Sequence, residues 1–167
     1  ALGLWVALPG TVWAASACLL AGILHLARLR RWRGWRTWDE KLVLVLHVGY
    51  AFVPLGFLAI AAAQMGWAEP VAALHVFTVG AIGAMTLAIM SRATRGHTGL
   101  PLAASRVTAL SYAALVAAAL LRPLAGIWPD YYIELLSASG LCWIAAFTLY
   151  VAEYGPVLVQ KRRDRPE

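Results

Sequence analysis

Charged side chains are scarce along the chain and gathered into short segments, and between them lie apolar runs of about twenty residues. The runs extend over about 4–27, 42–63, 71–90, 102–121 and 131–152. At 1.5 Å of rise per residue, twenty helical residues reach about 30 Å, the depth of a bilayer's hydrocarbon core. A backbone in lipid has no water to bond, so such runs take the form that pairs its own N–H and C=O groups, the helix. The pattern predicts an all-α, polytopic transmembrane helical bundle with about five spans in a single domain. Pro9-Gly10 predicts a kink or restart early in the first helix, because proline removes a backbone donor. Arg122-Pro123 predicts the end of the fourth, and the stretch from Ser91 to Pro101 reads as a polar, glycine-containing connection.

Composition agrees with this picture and adds direction. Of 167 residues, 62% are apolar, more than a soluble domain of this size carries. The net charge of +6 would suit a nucleic-acid partner if it formed a stripe, but the basic residues sit in short segments between spans, so no nucleic acid is implied. With alternating spans, the segment 28–41 contributes six Lys or Arg, Arg92, Arg95 and Arg106 three more, and Lys161, Arg162, Arg163 and Arg165 four. That puts thirteen on one side and Arg122 alone on the other, which predicts a periplasmic amino terminus for this chain and a cytoplasmic carboxy-terminal tail. The cationic connections also attract anionic membrane lipids. Trp32, Trp35, Trp38, Trp67, Trp128, Tyr131 and Tyr132 fall near span ends, as interfacial anchors do. Cys18 and Cys142 lie inside apolar runs and read as small core residues rather than a disulfide. The opening Ala1-Leu2-Gly3-Leu4-Trp5 carries no leader pattern, and the chain reads as part of a longer protein.

The polar residues inside the spans carry the candidate chemistry. His25 lies near the cytoplasmic end of the first span and His47 about five residues into the second from the same side, a difference in depth of about 5 Å. His97 belongs to the next cytoplasmic connection and is placed to fold back toward them. Three imidazoles there would suit a copper or haem site, because each offers a ring nitrogen. His75 enters from the opposite face, and about 16 Å of depth separates it from His47, too far for both to bind one iron. The sequence thus allows an inner site and a separate outer one at His75. Arg92 and Arg95 flank the inner end of the third span, where they would pair with cofactor propionates or lipid phosphates. Glu134 and Glu153 are candidate proton or ion contacts, and Gly80, Gly83 and Ala84 allow a close helix neighbour.

Two segments make these residues more specific. The stretch Ala73 to Leu87, which holds His75, Gly80 and Gly83, is followed by Met90-Ser91-Arg92-Ala93-Thr94-Arg95-Gly96-His97-Thr98-Gly99, and together they resemble the signature of the NnrS family. The segment Leu46 to Phe57 is similar to that family's neighbouring helix, and Trp143 to Pro156 is compatible with its last. The resemblance covers nearly the whole chain and corresponds to the carboxy-terminal part of larger proteins with about twelve spans, so missing amino-terminal helices of the same protein are expected partners. It implies a bacterial inner-membrane protein containing haem and copper, concerned with nitric oxide as a small-molecule ligand and with protection from nitrosative stress. Carried over, His75 and His97 are the leading ligand candidates and His47 the next, while His25 has its location alone. Family members continue Gly-His-Thr-Gly with arginine, where this chain has Leu100, so an anion contact at that position is not expected. A metal-dependent oxidoreductase acting on nitric oxide fits this set. The competing reading is a metal-free membrane transporter or assembly module in which the histidines bond between helices.

Overall fold

The computed structural model describes residues 1–159, so the basic tail counted above lies outside the described residues. Every regular element among the described residues is helical. The short α1 (Leu2–Ala7) stops at Pro9-Gly10, where Gly10 takes a φ of +73°. Thr11 then caps α2 (Val12–Trp32) by accepting from the Ala14 amide at 3.3 Å. α2 ends at Arg33, and a 3-10 turn (Gly34–Thr37) leads to α3 (Lys41–Gln64). The third span is composite: α4 (Pro70–His75), a π-helical segment (Val76–Gly83) and α5 (Ala84–Thr98). α6 (Arg106–Ile127), a 3-10 turn (Pro129–Tyr131) and α7 (Tyr132–Val159) complete the described residues. Among the described residues five spans are long and apolar enough to cross a bilayer, Val12–Trp32, Lys41–Gln64, Pro70–Thr98, Arg106–Ile127 and Pro129–Val159. The protein is a multi-pass membrane protein.

Four helices outrun the apolar runs that announce them: α2 to Trp32, the third span to Thr98, α6 to Ile127 and α7 to Val159. The third span continues through the stretch read as a connection and stops at Thr98, where Gly99 adopts a φ of +73°. Its polar residues do not break it because Ser91, Thr94 and Arg95 share one buried face. Pro123 likewise lies inside α6 instead of closing it, and the helix runs on to Ile127. Beyond the proline, Gly126 keeps α6 close to α4, with Ala72 and Glu69 both 3.5 Å from the position a Cβ would take.

Neighbours in sequence are neighbours in space. α2 lies on α3, α3 on the third span, the third span on α6, and α6 on α7, with α5 meeting α7 at the end that carries Arg95. That end, shared by Arg28 to Lys41, Arg92, Arg95 and Arg106, is the basic end; Gln64, Pro70, Ile127 and Tyr132 mark the far end. Between α3 and the third span, glycines on each helix admit a ring from the other. A Cβ on Gly56 would collide with the ring of Phe77, and one on Gly80 would collide with the ring of Phe52. One phenylalanine from each helix thus fills a glycine notch on the other. At the same interface Gly49 faces Ala84 and Met85.

The Gly56 notch should not admit even a methyl group. Gly56→Ala is expected to cost about 1–3 kcal/mol of overpacking, because Phe77 is backed edge-on by Phe57 at 4.9 Å. Gly140→Ala, whose added Cβ meets nothing within 4 Å, should be neutral or slightly stabilising. Thermal unfolding in detergent checks both, and Phe77→Leu should restore the Gly56→Ala protein. Equal midpoints for the two single variants would contradict the interlock.

Candidate functional site

The interlock sets the heights of the histidines. Because Gly56 faces Phe77 and Phe52 faces Gly80, His75 comes level with Leu58, about eleven residues from His47 along α3. That corresponds to about 16 Å along the helix axis. His47 and His75 therefore occupy different depths.

His75 closes α4, half-buried, and its Nδ1 lies 2.7 Å from the Val71 carbonyl. A carbonyl only accepts, so Nδ1 carries the proton and the Nε2 lone pair is left for a ligand. His47 repeats the arrangement on α3, with Nδ1 3.0 Å from the Val43 carbonyl. Its ring meets the edge of Trp32 and packs under Gly34, whose absent side chain leaves room for it. In each case the backbone one turn back fixes the tautomer and the ring direction, as carbonyl partners do for metal-binding histidines. The π segment begins at the residue after His75, and its Thr78 hydroxyl donates to the Leu74 carbonyl at 3.2 Å.

His25 and His97 do not join His47. His25 Nδ1 lies 2.7 Å from the Tyr50 hydroxyl, and its ring stacks on Phe57 at 5.4 Å. Tyr50 and Trp32, whose rings are 4.5 Å apart, stand between it and His47, with the Arg28 guanidinium over both rings. His97 does not fold back, because α5 runs straight through it. It lies exposed in the last turn, about ten residues beyond the level of His47, or about 15 Å. Among the described residues no three His, Cys, Asp or Glu side chains converge as a metal cluster. The inner site expected from three imidazoles is thus not assembled by this set of helices. Nor do the two clefts at the far end, of about 480 and 650 Å³, include a histidine in their lining.

The two arginines separate as well. Arg92 is exposed, whereas Arg95 is buried in a closed polar ring at the basic end. Arg95 Nε donates to the Tyr154 hydroxyl at 2.8 Å, and Nη2 donates to Glu153 Oε1 at 2.9 Å. Thr108 donates to Glu153 Oε2 at 2.7 Å, since a carboxylate only accepts, and this obliges Tyr154 to donate to Thr108, also at 2.7 Å. The ring joins α5, α6 and α7, with every hydroxyl pointing from cation to anion. Arg95 Nη1 also donates to the Pro101 carbonyl at 2.9 Å, which commits three of its five N–H donors within the protein. The propionate contact expected of Arg95 competes with this ring.

Residues 1–162 match the family described as NnrS protein. The chain belongs to the NnrS family. No curated protein and no solved structure matches it. In this NnrS chain His25, His47 and His75 are held one by one, and the polar ring ties the basic end of the bundle together. Tyr50, Thr108, Tyr150 and Tyr154 escape a reading by sequence, because hydroxyls in an apolar run show no partner until the helices pack. Tyr150 and Tyr154, one turn apart and flanking Glu153, are the signal that points to such a ring.

Removing one member of the ion pair leaves the other buried, with side-chain exposures of 8% for Arg95 and 17% for Glu153. Glu153→Ala should cost about 3 kcal/mol. Arg95→Met added to it should return part of that loss. Denaturant unfolding in detergent as a double-mutant cycle measures the coupling, and additive losses would show that the pair does not hold the ring.

Proposed function

We propose that this NnrS chain belongs to a haem- and copper-dependent inner-membrane protein that binds nitric oxide and serves nitric-oxide metabolism, sensing or protection from nitrosative stress. The observation that carries the reading is His75, half-buried among the spans, with its proton held by the Val71 carbonyl and its Nε2 lone pair available. His75 holds the haem, and His47, with the same carbonyl tether at a second depth, holds the copper. When bound, iron or copper supplies a coordination position for a diatomic ligand. The chain's own contribution is to fix each imidazole's tautomer and direction and to surround it with water-excluding helix surface. His97 and Arg92, exposed at the end of α5, remain candidates for contacts made from outside this helix set, while His25 and Arg95 already have internal partners.

Metal analysis and optical spectra of the purified full-length protein, reduced and then exposed to nitric oxide, test this reading. Stoichiometric haem and copper with a nitric-oxide-dependent band shift are expected, and His75→Ala should lose the haem band while His47→Ala loses copper and keeps it. Folded protein without haem or metal would favour a metal-free membrane transporter or assembly module.

The charge asymmetry further assigns the basic end to the cytoplasm. In intact cells an impermeant thiol reagent should label Trp67→Cys at the exposed far end and spare Leu102→Cys at the basic end. The reverse pattern would invert the topology.

A further inference from the structure

Arg122 stands apart from the other cations among the described residues. It is the basic residue of the far end, it is only 9% exposed, and it makes no hydrogen bond or ion pair among the described residues. Its Nη1 is buried without a partner. A guanidinium in hydrocarbon is costly, and without an acceptor its desolvation goes uncompensated. The carboxylates at this end, Glu69, Asp130 and Glu134, are all exposed. Glu69 is engaged in addition with the Val71 and Ala72 amides, at 2.8 and 2.5 Å.

Its height is informative. α4 and α6 run antiparallel, with Ala72 beside Gly126 and Val76 packed in one cluster with Ala119. Arg122 lies between those two contacts on α6, level with the turn that carries His75. On its other side, Ser139 of α7 donates to the Ala118 carbonyl at 2.8 Å, one turn nearer the basic end. The buried seam of α6 that holds Leu115, Ala118, Ala119, Arg122 and Ala125 thus brings an unpaired guanidinium to the level of an imidazole whose Nε2 carries the lone pair.

We propose that Arg122 receives a carboxylate of the ligand bound through His75, namely a propionate of the haem. This rests on the reading of His75 as the haem ligand and adds a residue outside the segments that carry the family resemblance. The guanidinium fork matches a carboxylate with two parallel N–H···O bonds, and a charge-assisted contact in a dry site contributes more than one in water.

The test compares haem with its dimethyl ester, which keeps iron and ring but lacks both propionate charges. Full-length protein made without haem is titrated with each, and the Soret band gives the affinity. The wild-type protein should prefer the diacid by about ten- to a hundredfold. Arg122→Met should lose the preference while binding the ester as before, and Arg122→Lys should keep part of it. His75→Ala should lose the ligation band with both compounds. Equal wild-type affinities, or an undiminished preference in Arg122→Met, would overturn the role of Arg122 and leave haem binding intact. If the methionine variant does not fold, the wild-type comparison and the lysine variant still decide. A wild-type protein that takes up neither compound would overturn the reading of His75 as well.

Discussion

The arrangement depends on the interlock between α3 and the third span. Two glycines, Gly56 and Gly80, remove the side chains that would hold the helices apart, and Phe77 and Phe52 fill the notches from opposite sides. In lipid there is little hydrophobic gain from bringing two apolar helices together, so close packing of this kind is what selects a register. Sliding the pair by one residue would drive a ring into a neighbour that has a side chain. The register then fixes what the histidines can do. It holds His47 and His75 about 16 Å apart in depth and so forbids the single site that four histidines in one small chain might otherwise invite.

The basic and far ends solve the problem of buried charge differently. At the basic end Arg95 is answered by Glu153, and two hydroxyls close the circuit so that cation, anion and both dipoles are satisfied together. A buried pair left half-bonded would cost more than it returns, whereas a closed ring removes the penalty and pins three helices at one height. At the far end Arg122 has no such circuit. The contrast separates a charge that serves the fold from one whose acceptor the helices do not supply.

Much of this was legible in the sequence, and the failures share a cause. The five apolar runs announce the five spans, because spanning length and backbone satisfaction are properties of a single helix. The separation between His47 and His75 also follows from counting residues, and the packed register reproduces it. Helix ends are less legible. Thr98 and Ile127 lie beyond the apolar runs because Ser91, Thr94 and Arg95 are polar residues that face inward, and Pro123 is carried by packing on α4. Counting along one helix says how deep a side chain lies but not toward which neighbour it turns. For that reason depth alone groups His25, His47 and His97, while Tyr50, Trp32 and the straight course of α5 keep them apart.

The helix form around His75 bears on how a ligand there would be held. An α-helical carbonyl accepts from the amide four residues on, and where the winding widens into a π segment that pairing is disturbed. At this junction the side chains of His75 and Thr78 donate to the carbonyls four residues before them, Val71 and Leu74. The imidazole is thereby tied to the backbone of its own helix and not to a neighbouring span. A change in the spacing between helices would move His75 as part of α4 without breaking the bond that holds its proton. Its readiness to bind through Nε2 is in this sense a local property of the α4 to π junction, whereas the depth at which it binds belongs to the glycine interlock.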